Sequence, residues 1–340
     1  MQHITTADGI ETVKRITLGG IPQWISVRGR HEGNPILLFL HGGPGFTMMP
    51  ASWAYMRPWE EYFTVVQWDQ RGAGKTYVEN DPTKIAPTMT MDRIVADAEE
   101  LIRYLLATYD KDKIVLMGHS WGTILGVELA QKHPEWFYAY VGVSQGVNVQ
   151  KNERMGYRAL IEYYQRVGNA EAVEELMAIA PYPGASATEA REKLHVQRKW
   201  LLRAESEGLS ADGYTWRLPD NHYYDVVRLS PVYTEQDIKA WSEGIEFSVE
   251  ALWPEVVAVD FDDTISFKCP VILFHGRHDL TVSATLAAQW FKRLQAPSKK
   301  LIWFNDSAHM LLENEPGKAF LHLVEDVLPL TSAGATVPPR

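Results

Sequence analysis

The pentapeptide Gly118-His119-Ser120-Trp121-Gly122 offers a hydroxyl nucleophile with a glycine two residues away on either side. This is the G-x-S-x-G form. An apolar run, Lys113 to Met117, precedes it and a helical pattern from Thr123 to Gln131 follows it. Strand, sharp turn and helix are the context in which such a serine is lifted out of a sheet as a nucleophile. The helix that starts there aims free backbone N–H groups at negative charge. The plainer use of Ser120 is a helix cap. A serine hydroxyl is a weak nucleophile and needs a base, itself oriented by a third group. Where the partners follow in the order serine, acid, histidine, two loops qualify. Gly276-Arg277-His278-Asp279 follows the apolar run at Val271 to Phe274, and Ser307-Ala308-His309-Met310 follows the run at Lys300 to Phe304. Asp279 is therefore the candidate acid and His309 the candidate base. A capping or surface carboxylate and a core histidine are the competing uses of these two residues.

Acyl transfer also needs donors for a tetrahedral oxyanion. The backbone N–H of Trp121, directly after the nucleophile, is one. The second is expected from His41-Gly42-Gly43-Pro44-Gly45, at the end of the run Ile36 to Leu40. Glycines let a backbone N–H approach a ligand with no Cβ in the way. Gly43 is the first choice and Gly42 the second; Pro44 has no N–H. The same glycines lack the phosphate-loop and dinucleotide spacings, which argues against nucleotide binding. Among the 11 histidines, no H-E-x-x-H pair occurs and no clear metal spacing is visible, so neither a metal nor another cofactor is expected. His278 is expected at the rim or in support of the site, His119 is expected not to face the Ser120 hydroxyl, and His41, His133 and His275 are expected in structural hydrogen bonds. Trp53, Tyr55 and Trp59 either wall a pocket or pack a helix core, and Asp69 and Arg71 are expected to pin their loop.

These residues need a frame. Residues 11–18 and 22–27 read as strands of a hairpin around Gly19-Gly20. Apolar runs follow at 36–40, 63–68, 113–117, 137–143, 271–274 and 300–304, each of strand length and suited to burial on both faces. Helical periodicity fills the intervals at 92–106, 123–131 and 284–294. The alternation predicts an α/β fold with a mostly parallel central sheet flanked by helices. From about Gln145 to Phe267 the rhythm breaks. Helices are expected there at 154–167, 170–180, 188–207 and 234–244, with a turn-rich passage at 208–213. The predicted organisation is a core at 1–145, a helical insertion at 146–267, the rest of the core at 268–330 and a loose tail at 331–340.

Composition narrows the class. The 340 residues are 46% hydrophobic and 22% charged, with one cysteine, Cys269, which rules out a disulfide scaffold. No membrane-length apolar stretch and no signal-peptide pattern is visible, so the expected compartment is the cytoplasm. The net charge is −10; residues 146–263 hold 12 basic and 21 acidic side chains, which leaves the remainder nearly neutral. That acidity disfavours nucleic acid as a partner and suits a cationic or amine-bearing small molecule or short peptide; a solvated acidic surface is the blander account. Oligomeric state is not legible.

The motifs together resemble the α/β-hydrolase superfamily, and more narrowly the proline iminopeptidase (prolyl aminopeptidase) family. His41-Gly42-Gly43-Pro44-Gly45, Trp68-Asp69-Gln70-Arg71-Gly72-Ala73-Gly74 and Gly118-His119-Ser120-Trp121-Gly122 carry the likeness, with Gly276-Arg277-His278-Asp279 and Ala308-His309 completing it. The resemblance implies a serine hydrolase with a helical cap whose carboxylates hold a substrate amine. The family's Trp-x-x-Trp-Glu stretch is replaced by Lys199-Trp200-Leu201-Leu202-Arg203-Ala204-Glu205, so the second tryptophan and its adjacent glutamate are missing. The family's Glu-Asn-His-Tyr-Phe stretch resembles Asp220-Asn221-His222-Tyr223-Tyr224, with Asp220 keeping the charge. Asp220 and Glu205 are thus the candidate substrate-binding acids. Two activities are expected: hydrolysis of a small ester, lactone or amide through an acyl-enzyme, or release of an N-terminal proline or similar small residue. Epoxide opening and dehalogenation favour an aspartate nucleophile, which Ser120 replaces.

Overall fold

Eight strands form one sheet in a computed structural model that describes residues 3–184, 187–207 and 222–332. β1 (Ile10–Leu18) and β2 (Ile21–Gly29) make the antiparallel hairpin, turned by Gly19 and Gly20 at φ 54° and 77°. Positive φ at both central residues is what a two-residue turn of this kind demands. β3 (Ile36–Leu40), β4 (Thr64–Asp69), β5 (Ile114–His119), β6 (Phe137–Val143), β7 (Val271–Gly276) and β8 (Lys299–Phe304) run parallel, and β2 joins β4 antiparallel. The order is β1-β2-β4-β3-β5-β6-β7-β8. Every residue of β3, β4, β5 and β7 is buried, as continuous apolar runs predict. Alternate residues feed opposite faces: Leu38, Leu40 and Leu116 join one core, and Leu37, Phe39 and Met117 the other.

α1 (Met91–Thr108) and α2 (Trp121–Lys132) cover the sheet in line with their apolar stripes. Between β6 and β7 the chain leaves the sheet as helices: α3 (Val149–Arg166), α4 (Ala170–Ala178), α5 (Ala187–Glu207), α6 (His222–Arg228) and α7 (Glu235–Val256). α3, α4 and α5 share a small core of their own around Leu160, Tyr164, Leu176 and Trp200. The sheet resumes with β7, then α8 (Ala284–Arg293). The expected turn at 208–213 and the candidate Asp220 lie outside the described residues.

Three of these helices depart from expectation: α3 starts at Val149, ahead of Arg154, α6 lies where no helix is expected, and α7 is longer. α7 runs to Val256 instead of stopping at Gly244. Gly244 is buried, and a Cβ there would lie 3.2 Å from the Gly72 carbonyl oxygen. The glycine serves a close crossing over the 72–74 loop and does not end the helix. Among the described residues, no helix is long and apolar enough to cross a membrane.

Candidate active site

The order of the strands reverses around β3, which lies between β4 and β5. In open α/β sheets, ligands collect beyond the carboxyl ends of strands at such a reversal. The His41–Gly45 loop leaves β3 there, and Ser120 follows β5. Ser120 has φ 53° and ψ −117°, a strained conformation for a residue with a Cβ. Its flanks explain how the turn closes. A Cβ at Gly118 would lie 2.3 Å from the Gly122 carbonyl oxygen, and one at Gly122 would lie 2.1 Å from that of Leu40. Ser120 N–H donates to the Val143 carbonyl at 2.9 Å, which ties the turn to β6.

Asp279 follows β7 and is buried. Its carboxylate meets His309 Nδ1 at 3.0 and 3.2 Å, and its Oδ1 accepts from Val282 N–H at 2.7 Å. Burial opposes charge on both partners, but the pairing wins. The His309 imidazolium and its hydrogen bond hold Asp279 below the usual carboxylate range. The Asp279 charge and bond, helped by Glu205 and Glu313, hold His309 above its ordinary value. Ser120, Trp121, Gly43, His309 and Glu205 line one cavity of ≈ 1570 Å³ between the helical insertion and the sheet.

Gly43 has φ 112°, and a Cβ there would lie 2.6 Å from the N atoms of Gly45 and Phe46. Only glycine fits that loop without strain. α7 backs it: a Cβ at Gly45 would lie 2.8 Å from Ser248 Cβ and 3.0 Å from the Gly244 carbonyl oxygen. Trp121 opens α2, so its N–H has no carbonyl one turn back to bond. Its indole donates to Gln70 Oε1 at 3.0 Å.

Glu205, near the end of α5, accepts from Thr281 Oγ1 at 2.8 Å. Burial pushes its carboxyl up to about 7; the Asp279 charge adds to this, and His309 works against it. Deeper in the insertion, Glu153 takes Arg198 in a two-pronged pair at 2.7 and 2.9 Å and also accepts from the Tyr182 hydroxyl.

The other candidates sort out plainly. His119 supports the histidine loop: its Nε2 lies 3.3 Å from the His309 carbonyl oxygen, and the two rings stand 4.9 Å apart. Burial and the neighbouring His309 depress it to about 3, so it stays neutral. Ser144 Oγ donates to the same carbonyl at 3.3 Å, a support that no sequence motif announces. His41 bonds the Gly42 carbonyl, His275 the Val282 carbonyl and His278 the Asn305 carbonyl. Trp53, Tyr55 and Trp59 pack in the core beside Phe63, while Phe46 faces the cavity. Asp69 and Arg71 do not bond each other. Arg71 pairs with Asp97 at 2.8 Å, and Asp69 accepts from Tyr233 and from Lys75 N–H. Among the described residues, no group of three His, Cys, Asp or Glu side chains is arranged to hold a metal ion.

A family model described as the alpha/beta hydrolase fold matches residues 35–316. The chain is 31% identical over 313 residues to the probable aminopeptidase YbaC of Bacillus subtilis strain 168, covering 90% of this chain and 93% of that protein. It is 26% identical over 321 residues to a proline iminopeptidase of Neisseria gonorrhoeae, covering 88% and 91%. The crystal structure of a proline iminopeptidase-related protein from Thermus thermophilus superposes with a TM-score of 0.65 at 19% identity, covering 94% of this chain and 99% of that one.

Proposed function

The chain belongs to the alpha/beta hydrolase fold family, and from that premise we propose that it is a serine hydrolase that cleaves a small ester, lactone or amide through an acyl-enzyme. The observation that carries the reading is the Asp279–His309 pair, whose His309 lines the same cavity as Ser120 at its strained turn. His309 takes the Ser120 proton through the ring nitrogen that Asp279 leaves free, as Oγ attacks the substrate carbonyl. Asp279 fixes the tautomer and stabilises the imidazolium. The N–H groups of Trp121 and Gly43 hold the oxyanion. The leaving alcohol or amine takes the proton from His309. A water, deprotonated by the same histidine, then attacks the acyl carbon and frees the acid and Ser120.

A second, narrower reading is release of an N-terminal residue such as proline. Glu205 specifically favours it. Its partly buried carboxyl faces the Asp279–His309 pair from the insertion, where an ammonium next to the scissile carbonyl would meet it. An approaching cation would also draw the proton from a carboxyl poised near 7. Relatives named as aminopeptidases support the same reading. Asp220, which lies outside the described residues, stays a candidate second acid.

Three substrates decide between the two: proline anilide, its N-acylated form and a short-chain aryl ester, each assayed with Glu205→Gln. The aminopeptidase reading expects the free amine to outrun its N-acylated form, and Glu205→Gln to lower kcat/KM for the free amine at least about tenfold, the scale of a partly desolvated ion pair. The ester should change less than about threefold. Equal, weak responses favour the neutral-substrate reading. No turnover of any ester or amide would remove both.

A further inference from the structure

The loop that carries Asp279 is gripped by the helical insertion through contacts the mechanism above does not use. Asn152, on α3, donates from Nδ2 to the Thr281 carbonyl at 2.8 Å and accepts from Ser283 N–H at 2.6 Å. One amide side chain thus brackets Val282, the residue whose N–H bonds Asp279 Oδ1. One turn along the same face of α3, a Cβ on Gly156 would lie 3.0 Å from the Leu280 carbonyl oxygen. The helix therefore meets the loop through backbone as well as side chain. Glu205 of α5 adds the bond from Thr281 Oγ1.

We infer that Asn152 is a positioning residue for Asp279, so that the alignment of the acid with His309 depends on α3 being seated on the loop. The inference rests on the proposed triad. The Val282 N–H can hold Asp279 Oδ1 only while its peptide plane is fixed; the bond to the Thr281 carbonyl holds that same peptide group, and the bond from Ser283 N–H holds the next one. Without them the Val282 N–H is free to turn, and the carboxylate loses one of its two hydrogen-bond partners. The other is His309 itself.

The test uses a fluorophosphonate probe and reads the rate of serine labelling between pH 5 and 9 in the full chain. The charged and titratable groups facing His309 are Asp279, Glu205, Glu313, His119 and His275, and all are retained in Asn152→Ala and Gly156→Ala. Asn152→Ala should slow labelling about tenfold or more. It should also move the midpoint of the rate profile to lower pH, because His309 loses part of the Asp279 interaction. In an Asp279→Asn background the same substitution should cost less than about threefold, since its route of action is already gone. Gly156→Ala, whose Cβ would crowd the Leu280 carbonyl oxygen and strain the seat of α3 on the loop, should move the midpoint in the same direction and serves if Asn152→Ala does not fold. A loss that adds in full to that of Asp279→Asn, or an unmoved midpoint in both variants, overturns the inference and leaves the triad intact. Labelling that survives Ser120→Ala, or that is indifferent to Asp279→Asn, overturns the triad and the inference with it.

Discussion

Ser120 carries a backbone conformation of the kind that costs about 1–3 kcal/mol, and it is held there by neighbours that permit no other path. The turn sets Ser120 at a helix N-terminus, on the cavity shared with His309, where the proposed nucleophile needs its Oγ. The electrostatics of His309 give a pH prediction with a definite sign. Its acid form is favoured by Asp279, so the neutral form that the proposed mechanism uses as base appears above the ordinary histidine value of about 6.5. Activity should therefore rise with pH through a midpoint above about 6.5. Asp279→Asn should move that midpoint down and lower kcat by orders of magnitude, on the scale of about 10⁴ known for a serine protease whose histidine is left in the wrong tautomer. Rate–pH profiles of the two proteins check both parts; a loss below about tenfold would assign the acid elsewhere. The same interaction bears on stability. A raised histidine stabilises the fold below its unfolded value and loses that contribution as pH rises through the folded one. The depressed Asp279 does the reverse, losing its contribution as pH falls below the carboxylate range.

Elements bring these residues together by close backbone approach. α2 meets β3 at Gly122, and α7 crosses the glycine loops at Gly244. Gly122→Ala should force the elbow away from the Leu40 carbonyl, costing about 1–3 kcal/mol of stability. Activity in the folded protein should drop at least about tenfold; a urea titration and an initial-rate assay would read both. A fully active Gly122→Ala protein would show that the elbow has slack. Much of this layer is legible in the sequence. The strands are readable because buried runs such as Ile36–Leu40 admit no polar face. Ser120 and Asp279 stand out as candidates because each follows such a run, and His309 because it follows β8, a strand exposed at its start and buried only towards its end. The end of α7 is not, since Gly244 resembles a stop signal until the loop it crosses is known. The Asn152 clamp leaves no trace in sequence, because its partners lie 129 and 131 residues away and an asparagine inside a helix looks like any solvated position. The separation of Asp69 from Arg71 is equally hidden: alternate loop positions point to different partners.

Over the whole molecule, a nearly neutral sheet layer carries an acidic helical insertion, and the cavity lies between them. The buried Arg71–Asp97 pair ties three parts of the sheet layer together. Arg71 reaches the Gly19 carbonyl of the β1–β2 turn and Thr88 ahead of α1, and Asp97 on α1 also accepts from Gln23 of β2. Removing the charge with Asp97→Asn leaves a buried guanidinium without its full partner, so urea unfolding should show a loss of about 3–5 kcal/mol. The reaction of the folded fraction should be nearly unchanged, because the pair stands apart from the cavity lining. The claim on which all of this depends is that Ser120 is the nucleophile. Its most direct test is covalent labelling of the intact protein with a fluorophosphonate, followed by peptide mass spectrometry. The account predicts one adduct, on the peptide containing Ser120, with labelling and hydrolysis both abolished in Ser120→Ala. An adduct on another serine, with hydrolysis retained in Ser120→Ala, would contradict it.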